Sequence, residues 1–75
     1  MIALKLNDDT VKLDGVRYEN TNKRHKLTDG SNDLIFANDN GEVILVLWTS
    51  GFRRIRQRIN GSKKWTTPRC NYAEV

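Results

Sequence analysis

Five turn dipeptides constrain this chain more than any other feature: Asp14-Gly15, Asp29-Gly30, Asn40-Gly41, Ser50-Gly51 and Asn60-Gly61. Asn-Gly and Asp-Gly tolerate the positive φ angles that tight hairpins demand. The last three pairs recur at intervals of ten residues with apolar or aromatic runs between them, which predicts an antiparallel β meander. The runs are Asp33–Asn38, Glu42–Thr49, Phe52–Ile59 and Lys63–Thr67, preceded by candidate strands at Ile2–Leu6, Val11–Leu13 and Val16–Glu19.

Between these sets, Asn20–Ser31 ("NTNKRHKLTDGS") is polar with Leu27 as its single apolar anchor, and reads as a loop, a short weak strand or a flap. The stretch after Pro68 shows no pattern. Such ends commonly fray, so the expected organisation is one domain over 1–67 with a tail over 68–75. A chain of 75 residues has room for one compact core and no second domain.

The stretch "FRRIRQRI" is ambiguous. Trp48, Phe52, Ile55 and Ile59 fall at helical intervals, yet a helix of about ten residues is marginal alone, and matched turns bracket the segment. We therefore expect a strand. With Thr49-Ser50-Gly51 as a three-residue loop, Trp48 is expected opposite Phe52, Val46 opposite Arg54 and Ile44 opposite Arg56. Two-residue turns at Asn40-Gly41 and Asn60-Gly61 would set Phe36 against Leu45, Leu34 against Leu47, Lys63 against Arg58 and Trp65 against Arg56.

That register segregates the faces. One becomes a core of Leu34, Phe36, Val43, Leu45, Leu47, Ile55 and Ile59, and the other gathers Trp48, Phe52 and Trp65 with Arg54, Arg56, Arg58 and Lys63. Glu42–Thr49, apolar at every position from Val43 to Trp48, is expected to be a central strand covered on both sides. The predicted fold class is all-β, a small meander curling into a five- or six-stranded SH3-like or OB-like barrel or a two-layer sandwich. A loop one residue longer or shorter would reverse the faces.

The formal charge of +4 is unevenly placed. Residues 1–50 carry six basic and eight acidic side chains, whereas residues 51–75 carry seven basic ones against Glu74 alone. Arginines beside aromatic rings suit a polyanion, since guanidinium groups grip phosphates and rings stack on bases. The expected partner is therefore DNA or RNA, bound by Trp48, Phe52, Arg54, Arg56, Arg58, Lys63 and Trp65. Lys23, Arg24 and Lys26 form a second basic loop around His25 that could extend the footprint. On this reading Arg54, Arg56 and Arg58 could be changed together to glutamine with stability nearly intact.

Plainer readings stand beside this one. Arginine stems can simply cover a barrel flank, with Arg56 resting on Trp65, and the basic loop can be solvated surface. The same charges suit an acidic protein surface, making the chain a small regulator or inhibitor, and Trp48, Phe52 and Trp65 could instead join copies in a homo-oligomer. A catalytic role is not expected, because the aspartates sit at turns and strand ends and Cys70 and His25 lack an orienting third group. One cysteine and one histidine are too few for a structural metal site, and no cofactor is implied. Nothing approaches the roughly 20 apolar residues of a membrane span, and "MIALKLNDDT" does not read as a secretion signal. With a single cysteine, the expected compartment is the cytoplasm.

Overall fold

The computed structural model describes residues 1–58 and 62–75. Seven strands follow in chain order: β1 (Ile2–Asn7), β2 (Thr10–Leu13), β3 (Val16–Lys26), β4 (Asn32–Ala37), β5 (Val43–Trp48), β6 (Phe52–Gln57) and β7 (Asn71–Glu74). They form one sheet in the order β6-β5-β4-β3-β2-β1-β7, curled into a nearly closed barrel with no helix among the described residues. The all-β barrel expected from the turn spacing is what forms, and the arginine stretch is strand over Phe52–Gln57.

Two segments join the sheet beyond the expected strands, one lengthening β3 and the other supplying a strand of its own. The polar stretch after Asn20 continues β3 to Lys26, bending at Thr21 and Asn22 where the register with β4 slips and Asn22 adopts φ 61°. The tail expected to fray forms β7, parallel to β1. Its Asn71 amide donates to the Met1 carbonyl at 2.8 Å, and the amide of Val75, just past its end, to the Lys5 carbonyl at 2.9 Å.

The register differs from expectation by one residue at each of two places. The β4–β5 loop is Asp39-Asn40-Gly41, closed by the Asn38 amide on the Glu42 carbonyl at 3.0 Å, with Gly41 at φ 77°. The Asn38 side-chain oxygen takes the amides of Asn40 and Glu42, which favours three loop residues over two. Phe36 therefore faces Ile44 and Leu34 faces Val46, not Leu45 and Leu47.

At the next hairpin Trp48 does face Phe52 across Thr49-Ser50-Gly51. Arg53 is then an extra residue, a β-bulge, so Arg54 opposes Leu47 and Arg56 opposes Leu45. The expected partners Val46 and Ile44 oppose Ile55 and Gln57 instead. The last expected strand, Lys63–Thr67, reduces to a single bridge between Gln57 and Thr66. Its Asn60-Gly61 turn lies outside the described residues.

These shifts redraw the core. Phe36, Ile44, Val46, Phe52 and Ile55 meet Ala3, Val11, Leu13 and Tyr18 across the barrel. Each large apolar chain so buried stabilises the fold by roughly 1.5–3 kcal/mol. Of the expected core, Phe36 and Ile55 belong and Leu34 packs against it. Val43, Leu45 and Leu47 lie on the opposite face, and Ile59 lies outside the described residues. Leu45 is nevertheless fully buried, between Ile35 and Arg56 across the ladder, so β5 is covered on both faces as expected. It is next to last in the strand order rather than central.

Candidate functional site

The aromatic and arginine face expected from sequence divides into three places. Trp48 and Phe52 turn into the barrel, where edge-on contacts run from Phe36 to Trp48 (5.7 Å between centroids), on to Phe52 (5.0 Å) and to Tyr72 (4.8 Å). Phe52 is 8% exposed, and the Lys5 ammonium lies 4.5 Å from the Trp48 ring centroid. The bulge at Arg53 is the physical cause: it leaves Trp48 and Phe52 on the interior face while sending Arg54 and Arg56 outward.

Arg54 serves a buried charge. Its Nη2 lies 3.2 Å from both carboxylate oxygens of Asp33, whose side chain is 0% exposed. A buried carboxylate needs a paired cation, so Arg54 is tied to stability and is not free for an external anion. The expectation that it can be removed without cost is thereby corrected.

Arg56 is also engaged, donating to Asp29 Oδ2 at 2.6 Å. The other Asp29 oxygen accepts from the Ser31 amide at 2.9 Å and the Ser31 hydroxyl at 2.6 Å. The Ser31 hydroxyl first, then the Arg56 guanidinium, holds the Asp29 carboxyl well below the usual carboxylate range. These bonds pin the Leu27–Ser31 turn against β6.

The remaining predicted residues do meet. Arg58, Lys63 and Trp65 line an open cleft of about 660 Å³ together with His25, Lys26, Leu27, Thr28, Asp29 and Arg56. The Arg58 guanidinium stacks 4.4 Å from the half-buried Trp65 ring, the place expected for Arg56, and His25 lies tilted at 5.8 Å between centroids. Lys26, Arg58 and Lys63 are exposed and make no ion pair among the described residues. The cleft thus offers three free cations, one neutralised pair and one indole.

From the second basic segment, Lys26 joins this cleft and Lys23 is exposed on β3. Arg24 turns elsewhere, donating to the Asn32 carbonyl at 3.0 Å and lining a separate cavity of about 430 Å³ with Leu34, Val46 and Trp48. His25, Leu27, Thr28 and Asp29 were not assigned to the site from sequence. Their available signal was the Asp-Gly turn, which implies a hairpin returning its arms to one place, but it did not reveal that the turn leans on β6.

No group of three or more His, Cys, Asp or Glu among the described residues could hold a metal ion, and no helix there is long and apolar enough to cross a membrane. Compared with protein-family models, curated proteins and solved structures, the chain matches none.

Proposed function

We propose that this chain binds nucleic acid in the cleft around Trp65, as a small non-enzymatic module of the cytoplasm. The carrying observation is a half-buried indole ringed by three cations without carboxylate partners among the described residues. Phosphates are drawn to Lys26, Arg58 and Lys63, and a base can stack on Trp65 once the Arg58 guanidinium swings to a phosphate. Single-stranded DNA or RNA suits this arrangement better than duplex, because only unpaired bases present a free face to one indole.

No cofactor or reaction is assigned, since Asp29 and Asp33 are engaged by arginines. The lone half-buried Cys70 suits a reducing compartment. The oligomer contact once open to three aromatics is left chiefly with Trp65, because Phe52 is buried and Trp48 packs against the core.

The test changes Lys26, Arg58 and Lys63 together to glutamine and follows binding of a labelled oligothymidine at low salt. Affinity should fall at least about tenfold, and the slope of log K against log salt should flatten by about 2 for three lost phosphate contacts. The melting temperature should fall by only a few degrees, since none of the three is ion-paired and Arg58 gives up only its contact with Trp65, worth about 0.5–1 kcal/mol. Unchanged affinity overturns the reading. Absence of any oligonucleotide binding, with one stoichiometric protein in a pull-down, assigns the cations to an acidic protein surface instead.

A further inference from the structure

The two edges of the β3–β6 half of the barrel are treated differently. Along β6 three main-chain groups facing away from β5 are occupied: the Ile55 amide donates to the Tyr72 hydroxyl at 2.9 Å, and Gln57 exchanges bonds with Thr66 at 2.9 and 2.8 Å. Along β3 they are not. Val16–Glu19 pairs with β2, but Lys23–Lys26, beyond the bend, pairs with β4 alone.

Antiparallel alternation fixes which groups remain. The Leu27 amide donates to the Ser31 carbonyl at 2.8 Å, so residues 27, 25 and 23 direct their main-chain groups at β4. Arg24 and Lys26 therefore direct theirs away, where no main-chain or side-chain partner occurs among the described residues. Lys23, Arg24 and Lys26 are all exposed, and none makes an ion pair among the described residues.

We infer that this edge accepts an extended acidic segment of a partner protein by strand addition. Main-chain bonds to Arg24 and Lys26 supply the affinity that any extended chain would gain, and the flanking cations select carboxylates. A second copy of this chain is disfavoured at the same edge. Antiparallel pairing with itself would set lysine and arginine against lysine and arginine, and such like-charge rows are how natural edges avoid self-association. Nucleic acid would use the charges but leave the main-chain groups unbonded.

That difference supplies the test. Arg24→Pro and Arg24→Ala remove the same charge, but proline alone removes the outward amide, and it takes nothing from the ladder with β4. The probe is a capped octapeptide of alternating glutamate and threonine, titrated by NMR at low salt. The peptide should slow exchange of the Arg24 and Lys26 amides in the unaltered chain. Arg24→Pro should weaken binding about tenfold beyond Arg24→Ala. Equal affinities in the two variants, no binding at millimolar peptide, or edge amides protected without peptide in a species of twice 8.7 kDa would each overturn the proposal. Should the proline variant not fold, amide protection in the unaltered chain still decides the matter.

Discussion

At the scale of single residues, Arg54 shows how one side chain can be read correctly as a cation and wrongly as a free one. Four arginines in "FRRIRQRI" are visible in the sequence, but their counter-charges are not, because Asp33 lies 21 residues away and meets Arg54 only once β4, β5 and β6 have paired. Arg54→Gln should destabilise the fold by about 3–5 kcal/mol, since it strands a buried carboxylate. The melting temperature should drop by more than about 10 °C. Adding Asp33→Asn should recover part of that loss, and a thermal melt of the single and double variants checks both. Asp29 carries a pH signature of its own. Its folded carboxyl ionises below the unfolded value of about 3.9, so its stabilising contribution is present above that pH and is lost as pH falls through the folded pKa. Melts between about pH 5 and pH 2 should fall less steeply for Asp29→Asn than for the unaltered chain.

At the scale of elements, strand existence was far more legible than strand register. Turn dipeptides announce where strands end because their φ requirements are local, and β4, β5 and β6 lie where those signals put them. Register depends on counting loop residues to the last one, and here the side chain of Asn38 and the bulge at Arg53 each shifted the count by one. Side-chain parity therefore failed although the meander held. β7 had no local signal at all: four residues without alternation become a strand because β1, at the other end of the chain, offers an edge. The β5–β6 loop gives an element-scale prediction. Gly51 sits at φ 106°, and a Cβ there would meet nothing nearer than Glu74 Oε2 at 3.9 Å. Gly51→Ala should then cost about 1–2 kcal/mol from backbone conformation alone, with no steric component. Denaturant unfolding should show a lower midpoint with an unchanged slope.

At the scale of the whole molecule, closure of the barrel turns a sequence asymmetry into a spatial one. Of the seven basic residues in the last third, Arg56, Arg58 and Lys63 line the cleft with Trp65, and the β3–β4 hairpin carries Lys26 and His25 from the first half to the same place. The seam between β6 and β7 is bridged by Tyr72, whose hydroxyl accepts the Ile55 amide. Tyr72→Phe removes that acceptor next to a fully buried residue, and should cost about 1 kcal/mol, or about 4–8 °C in melting temperature. Hydrogen exchange should then speed first at the Ile55 amide.

The central claim is that anions gather at Trp65 and not at the aromatic face suggested by simple alternation. The two indole N–H resonances of the chain separate these possibilities in one NMR titration with a short oligothymidine at low salt. The Trp65 indole and the amides of Lys26, Arg58 and Lys63 are expected to shift together and to return as salt is raised, while the Trp48 indole, packed against the core, stays in place. Shifts centred on Trp48, or none at any position, would contradict it.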